Sequence, residues 1–569
     1  MTRDQDDPFY LYTQGNWRQA LDQIGRVHAD APPDPDWLNL AAACHLGLGE
    51  MDQAKACWQQ ALTLQPENRE LLNNLGLLLT RQQRFDEAET VLRKAVAIQP
   101  DFAPGHYNLG LLLAERQRLP EAISAYRHCL NLQPDHGEAC NNLGVLLTRA
   151  QRFDEAETLL HRAISLQPGH AGAWNNLGFL RQTRQRLDEA ESAFRQAMRL
   201  DPALAAAHNN LGALLCAKKR FTEAEEAFQA TLRLQPHHVE ALTNLGKLLL
   251  AQNRDQEAEA AFTRAIALQP DHGEACNNLG VLLTGQKRAA RAEALFRQAL
   301  RSQPDHAAAH RNLGVLLSRE NRLDEAASAL RQALALQPED GETWYNLGCV
   351  LNRQGALPEA EASYRRGLLC QPDHVEAGYN LGTLLKERHR LPEAEAVYRQ
   401  TLRTHPDHVG SNLNLGVVLT ELGRFEEAGN AFATLLSLQP ECADAHYNLG
   451  VLRVKQKQYP AAEAAFRQAL RHNPSLAAAC NNLALLLKET RRFAESEALS
   501  LEAMRLQPAF ADAMWNLSLL YLTTARFAEG WPLHEARHHP DRTNRKTVPL
   551  PLPFPMWQGE EIKGKALLV

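Results

Sequence analysis

The tripeptide Asn-Leu-Gly, first seen at Asn74, returns every 34 residues without an insertion or a deletion. Only the last two copies change the glycine, to Ala484 and Ser518. A fixed period between about 20 and 50 residues is typical of stacked supersecondary structures, in which each copy buries its apolar face against its neighbours. The sequence therefore predicts a solenoid and not a set of independent globular domains.

Each 34-residue repeat has the pattern of two amphipathic helices. We number a repeat so that Leu-Gly falls at positions 7 and 8. The repeat 69–102 then has Ala88 and Ala95 at positions 20 and 27, Leu92 at position 24 and Pro100 at position 32. Polar residues separate these at helical spacing, and the proline ends the second helix because it has no N–H to donate. We predict an all-α fold in which the glycine faces positions 20 and 27, while the position-24 side chain fills the gap to the next repeat.

Counting backward and forward by 34 residues gives about 16 repeats. We predict a degenerate N-terminal capping repeat at 1–34 and a superhelix of repeats at 35–544. The final segment, 545–569, breaks the pattern, and we predict a proline-rich linker there, including Pro549 to Pro555, followed by the start of a further, truncated domain. An atypical terminal repeat is expected because the end of a stack must face water.

Two local patterns lead to further expectations about the helices. Asp135 and Glu138 follow a repeat-ending proline and stand three residues apart, which is the spacing of a capping box. Asp255 and Ala289 occupy position 17, where most repeats have a bulky residue. We therefore expect residues 239–306 to be the loosest part of the stack.

Composition limits the classes of partner. The chain has 61 Lys and Arg against 67 Asp and Glu, a net charge of -6, which gives no broad basic surface for nucleic acid or an anionic membrane. Its N-terminus is acidic, and no apolar run approaches the length of about 18 residues that spans a bilayer. We expect a cytoplasmic protein that binds other proteins, and the oligomeric state stays open.

No motif in the repeats indicates catalysis, a cofactor or a metal. Glycine-rich phosphate loops and the common hydrolase and metalloprotease patterns are absent from the sequence. Three of the ten cysteines (Cys140, Cys276 and Cys480) share position 4, and none has the spacing of zinc ligands. We interpret the cysteines as structural thiols and predict no catalytic residue, no metal and no cofactor.

The repeat resembles the tetratricopeptide repeat, with small residues at positions 8, 20 and 27, a bulky residue at 24 and proline at 32 of a 34-residue period. The family's usual tyrosine at position 11 is leucine in most repeats here. The resemblance implies a right-handed superhelix whose first helices line a concave groove. Such grooves commonly bind peptide segments of other proteins.

Position 6 is asparagine in every repeat from residue 69 onward, although asparagine is a mediocre helix former. Recent duplication is one explanation, since 135–148 and 271–284 are identical, but position 5 has varied while position 6 has not. A second is that each amide bonds a backbone group of an adjacent helix. The third, which we favour, is a ladder that binds extended polypeptide, similar to the asparagine ladder in the repeats of protein O-linked N-acetylglucosamine transferases. The predicted peptide-binding residues are Asn74, Asn108, Asn142, Asn176, Asn210, Asn244, Asn278, Asn312, Asn346, Asn380, Asn414, Asn448, Asn482 and Asn516.

The C-terminal tail carries a second resemblance. Gly530-Trp531, the segment from Pro555 to Glu560 and the segment from Gly564 to Val569 occur in the order seen in bacterial tetratricopeptide proteins that carry a C-terminal glycosyltransferase domain. The last segment reads as a first β-strand of such a domain, which is not part of this sequence. The resemblance implies a substrate-recruiting region of a glycosyltransferase, and the alternative is a stand-alone noncatalytic scaffold. Whether the protein is an enzyme stays open.

Overall fold

The structure is a computed structural model that describes residues 7–27 and 32–538. In these ranges the chain forms 32 α-helices and one short 3-10 helix, and it has no strand. Consecutive helices pair within each repeat, so the predicted all-α solenoid is confirmed. The predicted strand and the proline-rich segment lie outside the described residues.

The chain divides into two compact units, Met1–Arg288 and Ala289–Val569. The boundary falls directly before Ala289, one of the two positions where the sequence lacks a bulky residue. The helices of the first unit are α1 Pro8–Thr13, α2 Trp17–Val27, α3 Pro35–Gly47, α4 Met51–Leu64, α5 Arg69–Arg81, α6 Phe85–Ile98, α7 Ala103–Glu115, α8 Leu119–Leu132, α9 Gly137–Arg149, α10 Phe153–Leu166, α11 Ala171–Thr183, α12 Leu187–Leu200, α13 Ala205–Ala217, α14 Phe221–Leu234, α15 Val239–Ala251, α16 Asp255–Leu268 and α17 Gly273–Gly285.

The second unit has the same helix lengths and spacing until its last pair. Its helices are α18 Ala289–Ser302, α19 Ala307–Arg319, α20 Leu323–Leu336, α21 Gly341–Arg353, α22 Leu357–Cys370, α23 Val375–Glu387, α24 Leu391–Thr404, α25 Val409–Glu421, α26 Phe425–Leu438, α27 Ala443–Lys455, α28 Tyr459–His472, α29 Ala477–Glu489, α30 Phe493–Leu506, α31 Ala511–Thr523 and α32 Phe527–His534, before the 3-10 helix Glu535–His538. No helix in the described ranges combines the length and the apolarity needed to cross a membrane.

First helices approach one another more closely than second helices do. In the first unit, α9 contacts α11, α11 contacts α13 and α13 contacts α15. In the second unit, α23 contacts α25 and α25 contacts α27. The closely packed pairs of alternate helices in the described chain are all pairs of first helices. Each stack therefore bends toward its first helices, which lie on the inner side.

The glycine at position 8 makes room for the position-24 side chain of its own repeat. A Cβ atom added to Gly212 would lie 2.7 Å from the Phe228 ring, and one added to Gly416 would lie 2.5 Å from the Phe432 ring. Phe228 and Phe432 are fully buried. The expectation that the position-24 ring fills a gap to the next repeat was therefore incomplete, because the ring lies directly over the glycine that the first helix provides.

One repeat exchanges both members of this contact. Where position 8 becomes Ala484, position 24 becomes Ser500, and both side chains are almost completely buried. The additional methyl group in the first helix is thus matched by a smaller side chain in the second. The pairing explains why the late loss of glycine does not disturb the helix pair α29 and α30.

The second helices are linked by a repeated ion-pair network that the sequence analysis did not predict. Arg220 at position 16 binds Glu223 of its own repeat at 2.6 Å and Glu191 of the preceding repeat at 2.7 Å. Burial by itself raises the pKa of Glu191, but hydrogen bonds from Lys218 and Arg220 outweigh it and hold the pKa below its ordinary value. In one pair of repeats, Ala327 stands at the position of Glu191 and Ala356 at the position of Arg220. The acid and the base are lost together, so neither charge is left buried alone.

Histidine caps the first helices, so the predicted capping box is wrong. The N-cap of α9 is His136, whose Nδ1 accepts a hydrogen bond from the Ala139 N–H at 3.2 Å. Asp135 lies one residue too early to cap the helix. Other first helices use the same histidine, at His170, His238, His272, His306, His374 and His408.

Replacing Gly212 by alanine is expected to lower the free energy of unfolding by about 1–3 kcal/mol, because the new methyl group would overlap the Phe228 ring. Chemical denaturation of the purified variant measures the change. Gly169→Ala is the control, since no atom lies within 4 Å of the added Cβ there. Equal stability of the two variants would contradict the packing argument.

His408 is expected to make stability fall as the pH drops below about 6.5. Its burial lowers the pKa from the ordinary value of 6.5, so the unfolded chain takes up the proton first. The cap at the Ser411 N–H, 3.2 Å from Nδ1, is present at higher pH and is lost as the pH falls through the lowered pKa.

The variant His408→Asn keeps a capping side chain, as Asn68 does in α5, but has no proton to gain. Its unfolding free energy is expected to change less between about pH 7 and about pH 5 than that of the wild type. Denaturant titrations at several pH values measure this difference. An identical pH dependence in both proteins would contradict a role for His408.

Candidate functional site

The fourteen predicted peptide-binding asparagines lie at the same register of successive first helices. We call each of them a rung and the row an asparagine ladder. Most rungs are half-buried, while Asn108 and Asn414 are more deeply buried. Because first helices lie on the inner side of each compact unit, each unit carries its own row of rungs on that side.

In six rungs, one N–H of the side-chain amide donates a hydrogen bond to an asparagine of the preceding repeat. The Nδ2 atom of Asn108 donates to Asn73 Oδ1 of the preceding repeat at 2.8 Å, and Asn210 donates in the same way to Asn175 at 3.0 Å. The acceptor stands at position 5. The second explanation for position 6 therefore holds in an altered form, since the partner is a side chain and not a backbone group. The same bond joins Asn74 to Asn39, Asn176 to Asn141, Asn244 to Asn209 and Asn516 to Asn481.

Tyrosine replaces asparagine as the acceptor in two repeats. Asn142 donates to the Tyr107 hydroxyl at 3.3 Å, and Asn482 donates to the Tyr447 hydroxyl at 3.1 Å. A phenol oxygen and an amide oxygen both accept hydrogen bonds. Position 5 is therefore free to vary among acceptors, whereas the donor at position 6 stays an amide.

Where position 5 offers no suitable acceptor, the rung is rearranged. In the repeat before Asn448, position 5 is Leu413, and the Asn448 amide instead donates to the Asp444 carbonyl of its own helix at 2.8 Å. In the repeat before Asn278, position 5 is Thr243, whose hydroxyl donates to the Val239 carbonyl. The Nδ2 atom of Asn278 is buried without a hydrogen-bond partner among the described residues, so the oxygen of the short Thr243 side chain does not reach it.

Three further rungs of the second unit differ from the common pattern. Asn380 donates to Cys349 Sγ at 3.7 Å, and Asn414 donates to Thr383 Oγ1 at 3.4 Å. Asn346 forms no hydrogen bond with the described part of the chain, since Arg311 at the preceding position 5 is paired with Asp340. The regular ladder is therefore best formed in the first unit.

Three consecutive rungs of the first unit keep their amide oxygens available. The Oδ1 atoms of Asn176, Asn210 and Asn244 accept no hydrogen bond from the described residues, and these residues do not enclose them. The oxygen is occupied in four other rungs: Asn142, Asn278 and Asn482 each accept from the asparagine before them, and Asn414 accepts from Lys386.

The surface around the first two of these rungs, Asn176 and Asn210, is uncharged, whereas the repeat of Asn244 carries Glu240 and Lys247. Helical spacing places positions 2, 9 and 13 on the same face as position 6, and position 12 is included because Cys216 lies beside Asn244 of the next repeat. In the repeat 171–204 these positions hold Gly172, Phe179, Gln182 and Thr183. In the following repeat they hold Ala206, Ala213, Cys216 and Ala217. The Phe179 side chain is 49% exposed, so this face is apolar as well as neutral.

The cysteines are all free thiols, as the sequence analysis interpreted them. Cys140, Cys276 and Cys480 are buried, and burial raises the pKa of Cys276 to about 11. A thiol with so high a pKa is a poor nucleophile at neutral pH.

Family models match most of the repeat region. The model described as the cilia and flagella-associated protein 70 C-terminal domain matches residues 104–284 and 238–434. Models described as tetratricopeptide repeat match residues 45–103, 421–477 and 476–507. The chain therefore belongs to the tetratricopeptide repeat family.

Two solved structures are similar to the chain. One is a chain of the APC/C hetero-tetramer Cut9-Hcn1, with 16% identity, a TM-score of 0.46 and coverage of 87% of this chain and 98% of that chain. The other is YrrB, a TPR protein with an unusual peptide-binding site, with 22% identity, a TM-score of 0.28 and coverage of 33% and 96%. The comparison with curated proteins gave no significant match.

The sequence analysis identified position 6 but missed the role of position 5. The signal was present in the sequence, because position 5 is asparagine or tyrosine in most repeats, as in Asn73, Tyr107, Asn175 and Asn209. Both side chains accept hydrogen bonds. Which repeat supplies the partner could not be read from the sequence, since the donor and acceptor are 35 residues apart.

Replacing Thr243 by asparagine is expected to give Asn278 its missing acceptor and to raise the free energy of unfolding by about 0.5–1.5 kcal/mol. Asn209 and Asn277 are buried at the same position, so the site accommodates the side chain. Denaturant unfolding measures the gain. Thr243→Val has a similar shape and no acceptor, and equal stability of both variants would contradict the expectation.

Proposed function

We propose that the chain is a scaffold that binds extended polypeptide segments of other proteins along its asparagine ladder. The observation that carries the proposal is the set of open amide oxygens on Asn176, Asn210 and Asn244. Each can accept a hydrogen bond from a backbone N–H of the bound chain. Because backbone groups are common to every sequence, such binding tolerates many guests.

The inter-repeat hydrogen bond supports this role because it fixes the amide before the guest arrives. A rung held by its Nδ2 atom loses little side-chain freedom on binding, which lowers the entropic cost of association. Adjacent first helices lie about 10 Å apart and an extended chain advances about 3.3 Å per residue, so each rung meets about every third residue.

Three rungs provide weak binding by themselves. Each hydrogen bond contributes a net 0.5–1.5 kcal/mol, approximately, and the guest loses freedom when it becomes ordered. Affinity and selectivity therefore depend on the side chains beside the rungs. The apolar, uncharged face around Phe179 and Ala213 favours a guest segment without charged residues.

We further propose that this groove recruits acceptor polypeptides for a glycosyltransferase. The support is the order of Gly530-Trp531, the segment from Pro555 to Glu560 and the segment from Gly564 to Val569, of which the last two lie outside the described residues. The alternative is a scaffold without catalytic activity. The intact mass of the native protein separates the two, since a transferase domain would add a few hundred residues to the 63.5 kDa of this chain.

Two matched triple variants test whether the rungs contact the guest. The first variant removes three inter-repeat hydrogen bonds together with the open oxygens, by changing Asn176, Asn210 and Asn244 to alanine. The second variant removes the same three hydrogen bonds but keeps the rungs, by changing Asn141, Asn175 and Asn209 to alanine. Both variants are expected to lose about 2–4 kcal/mol of unfolding free energy.

The first variant is expected to lose peptide affinity by about tenfold or more, and the second by clearly less, because it loses only the pre-ordering of the rungs. The probes are peptides of about twelve residues selected by the wild-type protein from a random display library, with affinities measured by fluorescence anisotropy. Equal losses in the two variants would assign position 6 a purely structural role. Failure of the wild-type protein to select any peptide would contradict the proposed function.

A further inference from the structure

A hollow of about 250 Å³ opens in the first unit beside the rung Asn244. It lies between the first helices α13 and α15, at the start of the second helix α14. The rings of Phe221 and Phe228 and the side chain of Leu248 give it an apolar lining. Phe228 and Leu248 are buried, so this lining is part of the core and its shape is fixed by packing.

The hollow exists because small residues meet on adjacent first helices. Position 9 is Ala213 in this repeat, whereas it is Val145 and Phe179 in the two preceding repeats. Position 13 is small in three successive repeats, at Ala217, Ala251 and Gly285, and Ala251 lines the hollow. With short side chains at both places, the space between adjacent first helices is not filled by the protein.

The hollow opens onto the same face as the ladder. Asn244 lines it directly and has an oxygen that accepts no hydrogen bond from the described residues. A polypeptide bonded to this rung would therefore have a side chain within reach of the hollow. A cavity of about 150 Å³ with an apolar lining already holds a benzene molecule, so the hollow has room for a leucine, methionine or phenylalanine side chain.

The distribution of charge around the hollow limits which guest residues can flank that side chain. The repeats 171–204 and 205–238 have no charged residue at positions 2, 9, 12 and 13. Lys247, at the edge of the hollow, is paired with Glu274 at 2.8 Å. A charged guest residue opposite these repeats would lose hydration without gaining a partner.

We infer that the hollow is the selectivity pocket of the ladder. It accepts one bulky apolar side chain of an extended guest segment of six or seven residues that runs past Asn176, Asn210 and Asn244 and is uncharged where it faces Asn176 and Asn210. The segment length follows from about 20 Å between the first and third rungs and about 3.3 Å per residue. This inference rests on the proposed binding of polypeptide along the ladder.

Selection of random peptides of about twelve residues on the full chain tests the pocket. The selected peptides are expected to share one leucine, methionine or phenylalanine within an uncharged stretch. Changing that residue to serine is expected to weaken binding about tenfold or more, because burial of such a side chain is lost. The variant Ala213→Leu fills the hollow with leucine, which other repeats have at position 9, as at Leu77 and Leu111.

Ala213→Leu is expected to fold with an unchanged melting temperature and to bind the apolar peptide about tenfold more weakly, while its affinity for the serine peptide is unchanged. Half-buried Cys216 also lines the hollow and gives a local readout. Bound apolar peptide is expected to slow alkylation of Cys216, measured by mass spectrometry, and to leave Cys349 unaffected.

The outcomes separate the pocket from the ladder. Peptides that bind without a shared apolar residue, or that bind Ala213→Leu as tightly as the wild type, would overturn the pocket and leave the ladder standing. If the bound peptide does not slow the alkylation of Cys216, the pocket is likewise overturned and the ladder stands. If no peptide is selected at all, the ladder and the pocket are both overturned.

Discussion

The contact between the position-8 glycine and the position-24 side chain is the constraint on which the rest of the structure depends. It fixes how closely the two helices of a repeat approach, and a similar distance recurs in many repeats of both units because the same two positions meet. A Cβ on the glycine would overlap a buried ring that cannot move without opening the core. In the pair Ala484 and Ser500, a larger residue in the first helix is matched by a smaller one in the second.

Constant helix pairs allow side chains 35 or 29 residues apart to meet in the same way along each stack. The amide of Asn210 reaches Asn175 and the guanidinium of Arg220 reaches Glu191, the first on the inner helices and the second on the outer ones. Each interaction is modest by itself. Repetition is what makes them important, since in a solenoid stability is a sum of similar nearest-neighbour contacts.

The asparagine row has a structural role and, in our proposal, a binding role, and the two are compatible. One N–H of the amide bonds the preceding repeat, which leaves the oxygen and the second N–H. Asn278 illustrates the structural role by its failure, because the short Thr243 side chain forms no hydrogen bond with it and the amide nitrogen is left buried without a partner in the described chain. A residue that serves two purposes is expected to vary less than its acceptor, which serves one.

The sequence by itself determined the all-α class, the 34-residue repeat, the helix ends near proline and the position of the asparagine row. These follow from periodicity and from the chemistry of single residues, which are local properties. The cap at His136 was misread by one residue, because the end of a helix depends on packing as well as on residue type. Only the tertiary structure decided that Asn175 meets Asn210 and that Ala213 leaves a hollow beside Asn244. The physical reason is that such contacts depend on the distance between neighbouring helices, which many buried side chains set together and no single position encodes.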